Sequence, residues 1–168
     1  MIVPWAWTAW SLGVLLSIAL PPLIGFHPYY LYLLSTTFLF GTLATAWNLL
    51  AYAGQISFGQ AAFFGLGGYG AALASLAGLP PWLAISLGGI VGALGGVGIG
   101  LASVRLRGAY LALATLAYAE VWRGVALNWT ALTGGGAGLV GIPALTGLRW
   151  GTYYLSLVFL LVALGSFA

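Results

Sequence analysis

Few side chains in this 168-residue sequence can do chemistry: four arginines (Arg105, Arg107, Arg123, Arg149), one carboxylate (Glu120) and one histidine (His27), with no cysteine. A serine nucleophile needs a base within reach. His27 sits beside Pro28 in an early turn, and Ser57 lies in QISFG, which lacks the first glycine of the G-x-S-x-G elbow. No cluster of His and carboxylates has metal-ligand spacing, so neither a metal nor a cofactor is expected. Without lysine the chain cannot form a standard phosphate-binding loop for ATP, so any ATP work falls to a partner. Scattered arginines do not make the clustered basic face of a nucleic-acid binder. What remains is Glu120 with Arg123 at i+3, on one helical face and able to pair. A central charge in a membrane costs roughly 2.5–3.5 kcal/mol on insertion scales. The two therefore read as an intramembrane ion pair. A pair holding helix register, a gate or coupling element lining a wet cavity, and a placement at the outer headgroups all remain open for it.

The elements that must position these groups follow from composition. The chain is 62% apolar, 15% aromatic and only 3% charged, against roughly a quarter charged in soluble domains, so it is expected in lipid. A hydrocarbon core of about 30 Å needs about 20 apolar residues. Cutting at Pro, Gly and polar clusters predicts an all-α polytopic transmembrane bundle, a single domain over residues 1–168, with about six spans. These run near Trp5–Ile24, Tyr29–Tyr52, Ala61–Pro80, Trp82–Val104, Gly108–Leu127 and Trp150–Ala168. The N-terminus lacks a positive region and reads as an uncleaved span. Arg105 and Arg107 place the connection between spans four and five in the cytoplasm, which puts the N-terminus inside. That parity reverses if residues 54–60 are a kink within one span.

Three stretches break the rules for lipid-facing chain. Gly54, Gln55, Ser57, Gly59 and Gln60 fall between spans two and three, where unwound backbone is tolerated only when shielded from lipid. Such a break suits a substrate pathway, with the following half-helix turning free N–H groups toward an anion; an interfacial capping loop is the alternative. On span four, Gly88, Gly92, Gly96 and Gly100 continue from Ala84 every four residues, a ridge that lets another helix approach closely. Gly67, Ala71 and Ser75 make a shorter ridge on span three. Between spans five and six, Thr133, Gly134, Gly135 and Gly138 belong to a Gly-rich outer loop that could receive a partner or ligand, or serve only as flexible reach.

The run GQISFGQAAFFGLGGYGAAL from Gly54, preceded by ATAWNLLAYA, resembles the signature of the membrane permease subunits of branched-chain amino-acid ABC importers, the LivM class. The stretch VRLRGAYLALATLAYAEVWRGVALNWTALTGGGAGLVGIP, from Val104 to Pro143, is similar to a second block of the same family. Many relatives carry His where this chain has Gln60. The resemblance implies a multi-pass inner-membrane subunit for import of apolar amino acids. It would pair with a second related permease, two cytoplasmic ATPases and an external amino-acid-binding protein. Gly54, Gln55, Ser57, Gly59 and Gln60 then fall in the first motif. Glu120, Arg123, Thr133, Gly134, Gly135, Gly138 and Leu139 fall in the second. The first group is expected to shape the pathway, Glu120 and Arg123 to form a buried pair, and the loop to meet the binding protein. Family members continue for several more spans, so the chain is expected to be a truncated frame or fragment. A non-transporting assembly remnant and an ATP-independent channel or secondary transporter stand as alternatives.

Overall fold

The structure, a computed structural model, describes residues 4–145 and 149–166. The last two residues of the sixth predicted span lie outside the described residues. Among the described residues seven α-helices follow in order: α1 (Pro4–Leu23), α2 (Pro28–Tyr52), α3 (Gln60–Leu76), α4 (Pro81–Ser103), α5 (Ala109–Asn128), the single turn α6 (Thr130–Thr133) and α7 (Arg149–Gly165). A 3₁₀ turn, Gly135–Ala137, follows α6. No strand occurs among the described residues, so the all-α class holds, and each of the six apolar segments is a helix.

Among the described residues, α2 and α4 are long and apolar enough by themselves to cross a membrane. At 1.5 Å per residue they extend about 38 Å and about 35 Å, beyond the roughly 30 Å of hydrocarbon. Only 6% of the most apolar stretch of α2 and 11% of that of α4 is buried within the chain. A core helix of a soluble protein would be mostly covered. Leu94 and Leu101 on α4 are 64% and 74% exposed, greasy surface that requires lipid or another apolar protein.

The chain forms two compact units, residues 1–45 with 146–168, and residues 46–145. In the first, Pro21 and Pro22 lie inside α1. Having no N–H, they cannot serve the carbonyls four residues back, Ser17 and Ile18. Two adjacent tyrosines of α7 fill the gap. The Tyr153 hydroxyl donates to the Ser17 carbonyl at 2.6 Å, and the Tyr154 hydroxyl to that of Ile18 at 3.1 Å. Tyr153 is fully buried with Leu31 and Leu157, its ring 5.3 Å from that of Phe38. Tyr153→Phe should therefore cost about 0.5–1.5 kcal/mol by removing the hydrogen bond to a half-buried carbonyl. In a Pro21→Ala background, which restores the backbone donor, the same replacement should cost clearly less. A double-mutant cycle of denaturation in detergent measures that coupling.

In the second unit, α3 and α4 pack on small residues. A Cβ built on Gly88 would lie 2.5 Å from the Gly67 carbonyl oxygen and 2.7 Å from the Ala71 Cβ; one on Gly92 would lie 3.1 Å from the Phe63 carbonyl oxygen. Ala84 is also buried. The ridge then leaves its expected line. At Gly96 and Gly100 a Cβ would meet nothing within 4 Å, whereas at Gly95 it would lie 2.5 Å from Leu66 Cδ1. The reason is helical pitch: every fourth residue overshoots a full turn by about 40°, so by Gly100 the row has rotated about 120° from Gly88. The contact continues by a step of three, to Gly95. There the Tyr118 hydroxyl of α5 donates to the Gly95 carbonyl at 2.9 Å, tying α5 to α4.

Candidate functional site

Residues between Tyr52 and Gln60 form the expected break. Gly54, at φ +74°, closes α2: its N–H bonds the Ala51 carbonyl at 2.9 Å, and the Gln55 N–H bonds that of Leu50 at 3.2 Å. This is the double hydrogen bond of a glycine-terminated helix, and the left-handed backbone there disfavours a side chain. Gly54 is thus a helix terminator, and Gln55 beside it is exposed.

Beyond that point the backbone turns inward and its polar groups find side-chain partners. The Trp47 indole N–H donates to the Ser57 carbonyl at 2.8 Å, and the Gly59 N–H donates to Ser57 Oγ at 3.1 Å. From α5, the Thr115 hydroxyl accepts the Phe58 N–H at 3.0 Å and donates to the Ala112 carbonyl at 3.0 Å. Ser57 and Thr115 are 2% and 4% exposed. A Cβ on Gly59 would sit 3.2 Å from the Thr115 Cβ and 3.3 Å from its carbonyl oxygen, so glycine is what permits this approach. Non-helical backbone in an apolar chain survives only with such internal partners. Gln60, half-buried, then begins α3.

Immediately past the break, α3, α4, α5 and α6 enclose a groove of about 600 Å³. Its walls are almost wholly apolar and include Ala61, Gly65, Leu66, Leu73 and Val91. Glu120, Arg123 and Thr133 also line it. Arg123 Nη1 lies 3.3 Å from Glu120 Oε2, so the two side chains are in contact. The pair is not buried within this chain, however. The side chains of Arg123 and Glu120 are 69% and 62% exposed, because position i+3 on α5 carries both onto the open groove face and away from α3 and α4.

The Gly-rich loop is folded and not slack. Thr133, buried, places its hydroxyl 2.6 Å from the Ala126 carbonyl and 2.8 Å from that of Trp129, and accepts the Gly135 N–H at 3.2 Å. Gly134 (φ +73°) ends α6, and a Cβ there would collide with the Gly138 carbonyl. The loop is thereby strapped to the end of α5. Of the residues singled out from sequence, Glu120, Arg123 and Thr133 converge on one groove. Gly54, Gln55, Ser57, Gly59 and Gln60 build the break that precedes Ala61 and do not themselves line the groove, and Gly88 and Gly92 hold α4 against α3. Sequence reasoning passed over Thr115, Trp47 and Tyr118. The only hint was a hydroxyl or indole N–H inside an otherwise apolar helix.

The sequence pattern of the branched-chain amino acid transport system permease component family matches residues 29–166, which include the break, the groove and the loop. The chain belongs to this family. Among relatives of this permease-family chain is the high-affinity branched-chain amino acid transport system permease protein LivM of Salmonella typhimurium strain LT2. It is 38% identical over 96 residues, 56% of this chain and 23% of that protein. LivM of Escherichia coli strain K12 is 35% identical over 96 residues, with the same coverage. The chain thus spans about a quarter of the length of these curated relatives. No solved structure matches it.

Proposed function

We propose that this chain is a transport subunit, not an enzyme, and lines part of the path by which branched-chain amino acids cross the bacterial inner membrane. Work comes from ATP bound and hydrolysed on two separate cytoplasmic subunits; residues 1–168 themselves hold no lysine and so no standard phosphate-binding loop. A second, related permease completes the conduit, and an extracytoplasmic binding protein delivers the solute, with the Thr133–Gly138 loop on the outer side as its contact. The observation that carries this reading is the convergence of a stapled helix break, a charge pair and an apolar groove within residues 46–145 of a permease-family chain. Helix breaks and ionisable residues at membrane depth mark solute paths. Closure of the ATPases would shift the population between two states of the permease pair, and no covalent step occurs in this chain.

Uptake of radiolabelled leucine by proteoliposomes checks the proposal. Accumulation is expected only when this chain, its partner permease, the ATPases and the binding protein are all present, with ATP on the side that holds the ATPases. Equal uptake from complexes lacking the chain would overturn it, and uptake by the chain alone without ATP would favour a channel.

A further inference from the structure

We propose that Glu120 and Arg123 read the zwitterionic head of an apolar amino acid in this groove, the carboxylate meeting Arg123 and the ammonium meeting Glu120, while the side chain lies against Ala61, Gly65 and Leu66. The proposal rests on the transport reading above and assigns to it a specificity site within the membrane subunit itself.

Three observations converge. The groove lining holds one anion and one cation, 3.3 Å apart, among residues that are otherwise almost entirely apolar. A carboxylate accepts about four hydrogen bonds and a guanidinium donates five, so one contact between them leaves most of their capacity free. Both side chains line the groove and remain more than three-fifths exposed. The Trp122 side chain, between the two charges in sequence, also lines the groove, its indole N–H buried and without a hydrogen-bond partner among the described residues.

The charge pattern selects among occupants. An apolar helix laid over the groove would desolvate the pair and offer nothing in return, which is costly for paired charges. A monovalent solute would satisfy one partner and crowd the other. A zwitterion with a hydrocarbon tail matches both charges and the apolar walls. The i, i+3 offset sets the two roots about 4.5 Å apart along α5, compatible with a head group whose charges are on neighbouring atoms.

The test is equilibrium binding of leucine, leucinamide (ammonium only) and 4-methylpentanoate (carboxylate only) to the assembled complex in lipid nanodiscs. Leucine should bind at least tenfold more tightly than either analogue. Arg123→Gln should erase the advantage of leucine over leucinamide, and Glu120→Gln its advantage over 4-methylpentanoate. These ratios do not depend on how much protein folds. The exchanged variant Glu120→Arg/Arg123→Glu should retain leucine preference better than either single change. Unchanged ratios in both Gln variants would overturn the proposal, as would finding the pair covered by another subunit's helix with no leucine bound. If leucine uptake stayed at the wild-type level in both Gln variants while Gly59→Leu still abolished it, the transport reading would stand and this assignment would fall.

Discussion

Gly88→Val is expected to unseat α3 from α4 and cost the chain about 1–3 kcal/mol of stability or more, the range for overpacking a tight contact. The first added carbon would already lie 2.5 Å from the Gly67 carbonyl oxygen and 2.7 Å from the Ala71 Cβ. Neither neighbour is the free end of a flexible side chain, so the two helices must separate. In a membrane protein, where close packing rather than water exclusion holds helices together, separation forfeits the dispersion contacts along the whole seam. Gly96→Val is the control. A Cβ there meets nothing within 4 Å, and its effect should stay within about 0.5 kcal/mol, as for an ordinary surface change. Thermal unfolding in detergent should place the melting point of Gly88→Val several degrees below that of Gly96→Val.

Gly59→Leu should lower leucine uptake by the assembled complex at least tenfold while the protein still reaches the membrane. Glycine at this position lets the break lie against Thr115, whose hydroxyl takes the Phe58 N–H. A leucine would push the break off α5, strand that N–H, and displace the start of α3, whose next residues Ala61 and Ala62 line the groove. Thr115→Val removes the acceptor without adding bulk and should give an intermediate loss, while Thr115→Ser should keep most activity. If Gly59→Leu transported normally, the break would have no part in the path.

The helices were legible in the sequence because prolines and glycines cut the hydrophobic runs almost where hydrogen bonding does. Leu79 marks the limit. Its N–H bonds the Ala74 carbonyl at 3.1 Å, and that of Gly78, at φ +89°, bonds the Ser75 carbonyl at 3.0 Å, a glycine-terminated end that closes α3 at Leu76, short of the expected stop at Pro80. Within this chain the lower half of the α4 ridge, Gly96 and Gly100, makes no such contact, since a repeat of four drifts around a 3.6-residue turn. Gly54 looked like part of a pathway, and it ends a helix. Side chains that act across long sequence separations were the hardest to see. Thr115 serves an N–H 57 positions earlier, and Tyr153 serves a carbonyl 136 positions earlier, exposed by a proline whose cost the local sequence leaves unbalanced. The charge pair was readable as a pair from its spacing. Its exposure was not, because exposure depends on which face of α5 meets α3 and α4.

Cysteine accessibility tests the conduit most directly, and the sequence is already free of cysteine. Single cysteines at Ala61 and Gly65, both lining the groove, would be challenged in membranes with a charged, membrane-impermeant methanethiosulfonate. A third at Leu94, 64% exposed on α4 and outside the groove, serves for comparison. The groove positions should react, lose leucine uptake on reaction and be protected by leucine, while Leu94→Cys stays unmodified and active. Groove cysteines that remain inert, or that react with uptake untouched, would contradict the claim that this surface lines a path for solute.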